Sequence, residues 1–135
     1  MNGVHLVALL ALMQYFFFGF LVARARSQYN VPAPRMTGDE HFERIFRVQN
    51  NTLEQLVIFL PALFIAAEYW SQGFVTLLGL VYLIGRVVYW RSYTADPNKR
   101  AFGFMLTAAP SFALILCGLI GAIFMACAGR AGGST

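Results

Sequence analysis

MNGVHLVALLALMQYFFFGFLVA, residues 1–23, contains no Lys, Arg, Asp or Glu. A helix needs roughly 20 apolar residues to cross a hydrocarbon core of about 30 Å, and this run supplies them. A cleaved signal peptide carries its positive charge ahead of the apolar stretch. Here Arg24 and Arg26 come after it. The expectation is a retained first membrane span.

The rest of the chain extends that reading. The 135 residues are 59% hydrophobic and 12% charged, with a mean hydropathy of +0.61. A soluble domain carries about a quarter charged residues, and so short a chain leaves much of its surface uncovered. Lipid must take up that surface. Ala23 to Glu43 reads as a polar connector, marked by Pro32, Pro34 and Thr37-Gly38-Asp39. From Phe42 to Trp70 a second segment starts polar and turns apolar after Leu56. Pro61 lies inside it, a position membrane helices tolerate. Ser71 to Gly73 predicts a tight turn, and a third span follows to Tyr93. Asp96-Pro97 predicts an N-cap with Pro at the first helical position. The fourth helix then holds Lys99 and Arg100 in its first turns and stays uncharged from Ala101 through Gly129. The predicted fold is all-α: one integral membrane four-helix bundle domain over residues 1–135.

The formal net charge of +4 does not point to nucleic acid, because the basic residues lie between the apolar runs. The first connector region holds Arg24, Arg26, Arg35, Arg44 and Arg47. The turn between spans three and four holds Arg91, Lys99 and Arg100, and the turn between spans two and three holds none. By the positive-inside rule both arginine-rich segments face the cytoplasm and both termini face away. Cys117 and Cys127 both fall in the last apolar run and say little about redox compartment. His5 and His41 are far apart without partners at metal spacing, so no metal site is expected. Nucleophile elbow, phosphate loop and dinucleotide fingerprint are all missing. The glycines at 118 and 121 suit close helix packing.

Two clusters carry chemistry. Arg44, Arg47, Asn51 and Glu54 recur at steps of three and four and so share one helix face, with Gln49 at the same depth. One reading is an internal Arg47–Glu54 ion pair that packs the bundle. The other is a polar cavity for a zwitterion, Arg47 taking a carboxylate and Glu54 an ammonium. On the third span Arg86, Tyr89 and Tyr93 lie near one face, and Arg100 follows just past a predicted helix start. Tyr82, Trp70 and Trp90 need only be interfacial aromatics. A guanidinium beside a helix N-terminus favours an anion or a thiolate. Charge pattern does not choose between them.

FERIFRVQNNTLE (Phe42 to Glu54) and GLVYLIGRVVYWRSY (Gly79 to Tyr93), followed by Lys99-Arg100 and Gly103, resemble the family of membrane-associated proteins in eicosanoid and glutathione metabolism (MAPEG). The wording RVQNNTLE is closer to bacterial members. The resemblance implies a homotrimer of four-helix subunits holding glutathione between neighbours near the cytoplasmic face. It implies that Arg100 stabilises the glutathione thiolate and that Arg47, Asn51, Glu54, Tyr89 and Tyr93 contact glutathione. Gln49 and Arg26 match contacts supplied across the subunit boundary, and Arg86 matches an arginine near the site.

The implied function is a membrane-bound glutathione transferase acting on a lipophilic electrophile, or a peroxidase acting on a lipid hydroperoxide. Glutathione is the co-substrate, membrane lipid the surrounding partner, and the setting a bacterial inner membrane, or endoplasmic reticulum in a eukaryote. Gln55, where the family's synthases carry tyrosine, argues against leukotriene synthesis. So do Ser27 in place of a second arginine and Phe112 in place of a tryptophan. Two other readings stay open: a lipid-presenting scaffold without chemistry, and a small transporter using Glu54 as a proton-coupled site.

Overall fold

The computed structural model describes residues 2–132, and every regular element among them is helical. Four helices follow one another: α1 (Asn2–Gln28), α2 (Glu40–Tyr69), α3 (Gln72–Ala95) and α4 (Arg100–Gly132). A single 3-10 turn, Pro97–Lys99, links the last two. All four are long and apolar enough to cross a membrane. At 1.5 Å per residue they run roughly 36–50 Å, so their polar ends lie beyond the hydrocarbon core.

The helix ends follow local chemistry. α1 continues past Ala23 and carries Arg24 and Arg26 in its final turns, because nothing in ARARSQ opposes helix. It stops where Asn30 takes a left-handed conformation (φ 56°) and the Val31 amide donates to Arg26 O at 3.0 Å. That is a Schellman-type ending, with Val31 packed on Val22, Ala25 and Phe42. α2 starts at Glu40 because the Asp39 carboxylate accepts from His41 N (2.8 Å) and Phe42 N (3.1 Å). Glu40 and Glu43 add negative charge to the first turn, where the helix dipole favours it.

Two further boundaries differ from the sequence expectation. The turn between α2 and α3 is shorter than Ser71–Gly73, because Ser71 caps α3 by accepting from Phe74 N at 3.3 Å. Gly73 is therefore helical. Asp96 does cap, with Pro97 behind it, but it caps the 3-10 turn, so Lys99 lies there and α4 begins at Arg100.

The bundle core gathers Val4, Val7, Ala11, Phe59, Leu63, Val75, Tyr82 and Leu114. Outside it, large apolar side chains stay uncovered, Phe16 and Phe124 at 77% and 73% exposure among them. A water-facing surface of that kind would aggregate; a lipid-facing one is the norm. Gly118 and Gly121 lie against Ile65 and Tyr69 of α2, the close packing their spacing predicted. Gly85 and Gly103 bring α3 and α4 closest, since a Cβ on Gly85 would stand 2.6 Å from the Leu106 backbone carbon.

Candidate functional site

The close crossing of α3 and α4 leaves a hollow on its α2 side. A cavity of about 390 Å³ opens there, lined by Arg47 and Asn51 from α2, Tyr89 and Tyr93 from α3, and Arg100, Ala101 and Phe104 from α4. Residues far apart in sequence meet because each helix presents one stripe to the others. Arg47 and Asn51 are one turn apart on α2, and Tyr89 and Tyr93 one turn apart on α3. The two tyrosine rings stack at 5.5 Å. Arg100 is the first residue of α4, the end at which the helix dipole adds positive potential to its guanidinium. It leans back on its own turn, donating to Pro97 O at 3.4 Å.

Arg86 stands behind this cavity and is fully buried. Its Nη1 donates to Asn51 Oδ1 at 2.9 Å and to Thr107 Oγ1 at 3.4 Å, and its Nη2 donates to Thr52 Oγ1 at 2.9 Å. Its guanidinium carbon sits 4.5 Å from the centre of the Tyr89 ring. Each threonine hydroxyl spends its own proton on the carbonyl one turn back, Thr52 on Val48 O (2.7 Å) and Thr107 on Gly103 O (3.0 Å). Both therefore face the arginine as acceptors. Among the described residues no carboxylate pairs with Arg86, so three helices are joined around an uncompensated cation.

Of the nine site residues expected from the sequence, five line the cavity: Arg47, Asn51, Tyr89, Tyr93 and Arg100. Arg86 touches two of these from behind. The other three lie apart from it. Glu54 is exposed on α2 and makes no ion pair with Arg47 among the described residues. Gln49 turns toward α1, where a Cβ on Gly19 would meet its Nε2 at 3.2 Å. Arg26 is engaged in the α1–α2 connector, donating to Val31 O (3.3 Å) and Arg35 O (2.6 Å) over the ring of Phe42.

Several site residues were not singled out from the sequence. Thr52 adjoins Asn51, and Thr107 and Ser111 continue from Gly103, already noted in the sequence, as a stripe of small groups at steps of four on α4. That periodicity was the available signal. Phe104, one turn after Arg100, is shared with a neighbouring hollow of about 260 Å³ lined by Gln55, Ile58, Ala108, Ser111, Phe112 and Ile115. Ile58 and Ile115 belong in turn to an apolar hollow of about 430 Å³ between α2 and α4. Polar cavity and apolar groove thus adjoin along one helix pair. No cluster of His, Cys, Asp or Glu suited to a metal occurs among the described residues.

The family model described as "MAPEG family" matches residues 4–120. Human microsomal glutathione S-transferase 2 is 40% identical over 115 residues, which covers 85% of this chain and 78% of that protein. An uncharacterized protein of Synechocystis is 43% identical over 115 residues, 85% of this chain and 84% of its own. Leukotriene C4 synthase of Cavia porcellus is 33% identical over 127 residues, 93% of this chain and 85% of its own.

Proposed function

From the premise that this chain belongs to the MAPEG family, we propose that it is a membrane-bound glutathione transferase whose co-substrate occupies the Arg47–Arg100 cavity. One observation carries the reading. Five residues from three helices, two of them arginines and two tyrosines, converge on a single hollow at the N-terminus of α4. Glutathione brings two carboxylates, one ammonium and a thiol to such a site. Arg47 takes a carboxylate and Arg100 the sulfur. Arg26 and Gln49 face the cavity of a neighbouring subunit in a homotrimer, the basic ends of the bundle being cytoplasmic.

Magnitudes make Arg100 sufficient. A free thiol with pKa about 8.5 is only a few per cent ionised at neutral pH. Lowering that value by about two units requires roughly 2.7 kcal/mol. One guanidinium at about 4 Å, with an effective dielectric near 20, supplies roughly 4 kcal/mol before desolvation. The thiolate then attacks an electrophile held in the adjoining groove along α2 and α4. A sulfur–carbon bond forms and the leaving group departs with its electron pair. With a lipid hydroperoxide the same thiolate attacks the terminal oxygen, the O–O bond breaks and the lipid leaves as its alcohol, and a second glutathione displaces water from the resulting sulfenic acid to form the disulfide. The protein holds the two reactants together and ionises one of them.

The test is a glutathione titration of purified protein in detergent, read by ultraviolet absorbance of the thiolate. Wild type gains the thiolate band on binding, and Arg100→Ala binds glutathione without it. A wild type that binds no glutathione sinks the reading; an Arg100→Ala variant with full band and full turnover removes Arg100 from its role.

A further inference from the structure

The uncompensated cation behind the cavity has a consequence for what the cavity recognises. A guanidinium only donates, so the amide atom of Asn51 that meets Arg86 Nη1 at 2.9 Å must be the oxygen. The amide nitrogen of Asn51 is then turned away from Arg86, and the cavity is the other environment this side chain lines. The hydrogen bonds of the described residues leave that nitrogen unused. Arg86 cannot easily let go. It is fully buried, and its other acceptors, Thr52 and Thr107, are themselves fixed by bonds to backbone carbonyls.

We infer that Arg86 is a positioning residue that locks Asn51 as a hydrogen-bond donor toward the cavity, so that Asn51 selects an acceptor group of the bound ligand: a carboxylate or peptide carbonyl of glutathione. Arg86 itself does not reach the ligand. It acts through Asn51. An asparagine free to rotate accepts or donates at equal cost and discriminates little. One whose oxygen is held by a buried cation presents N–H alone, and a ligand donor placed there meets no acceptor. The inference rests on the proposed glutathione site.

Asn51→Asp separates positioning from a merely structural role. Aspartate gives the buried arginine a counter-ion, so the thermal midpoint of the purified protein stays at or above that of wild type. It also removes the donor, so glutathione affinity falls about tenfold or more, equivalent to roughly 1.4 kcal/mol. A merely structural role for the Arg86–Asn51 pair, which aspartate preserves, predicts that glutathione binding is kept as well. Arg86→Met loses a similar factor, and Arg86→Lys, which still donates to Oδ1, recovers binding to within about threefold of wild type. Wild-type affinity in Asn51→Asp overturns the inference while leaving the glutathione site standing. A wild type that fails to bind glutathione overturns both, so the two failures are told apart in one titration series.

Discussion

Gly103 of α4 lies directly against the backbone of Tyr89 on α3, so close that a Cβ there would stand 2.5 Å from the Tyr89 Cα. Glycine is needed here for approach and not for an unusual backbone angle. The contact fixes how far Tyr89 reaches into the cavity, and it does so one turn from Arg100. Gly103→Ala must therefore push α3 and α4 apart at the site. Overpacking of this kind costs about 1–3 kcal/mol, and glutathione affinity should fall with it. Gly129→Ala is the control, because nothing among the described residues lies within 4 Å of a Cβ there. It should be neutral or stabilising by up to about 1 kcal/mol. Thermal unfolding of both variants in one detergent decides the matter; similar midpoints would remove the close crossing from the account.

The start of α2 makes a second prediction. Asp39 satisfies two free amides, those of His41 and Phe42. Asp39→Ala should cost about 1 kcal/mol, and Asp39→Asn, which keeps the acceptor, only a few tenths. Arg47 sits two turns further on, inside continuous helix, so glutathione affinity should change little in either variant. A large affinity loss in Asp39→Ala would mean that the first turn of α2 shapes the cavity.

Much of this architecture was legible because lipid simplifies the code. Runs such as residues 1–23 have no alternative to spanning helix, and Asp96 announced its cap, whereas Asp39 and Ser71 read only as loop and turn residues although both cap helices. The stripes holding Arg47 and Asn51 on α2 and Tyr89 and Tyr93 on α3 were legible at helical spacing, while their meeting with Arg100 was implied only by the family resemblance. The role of Arg86 was not. Its place depends on helix crossing angles that bury it completely, and on hydroxyls of Thr52 and Thr107 that look in sequence like ordinary small residues. Helix lengths past Ala23 and past Tyr93 were also underestimated, because polar residues end a hydrophobic run without ending a helix.

Arg100 makes a prediction about pH whose sign follows from charge. A neighbouring cation favours the thiolate and so lowers the pKa of bound glutathione. Arg100→Lys keeps one charge but gives up the planar set of donors. The bound thiol should then titrate higher, moving back toward about 8.5. Turnover at neutral pH should drop about tenfold and recover as pH rises through the new value. A deficit that persists unchanged at alkaline pH would show that Arg100 acts on something other than ionisation.

The groove along α2 and α4 is tested by filling it. Ile58 lines both the small hollow beside Phe104 and the apolar hollow beyond it, and its side chain is 44% exposed toward lipid. A larger ring at this position has room to turn outward, so Ile58→Trp should fold with little loss of stability. It should nevertheless block passage between the two hollows. Glutathione binding in the polar cavity, whose lining does not include Ile58, should stay within about twofold of wild type, a change below about 0.5 kcal/mol. Conjugation of a long-chain electrophile should fall about tenfold, and that of a small aromatic one much less. This split follows because only the long chain must lie along both hollows while its reactive carbon meets the sulfur. Equal loss for both substrates would place the electrophile elsewhere, and no loss for either would free the α2–α4 groove from any part in the reaction.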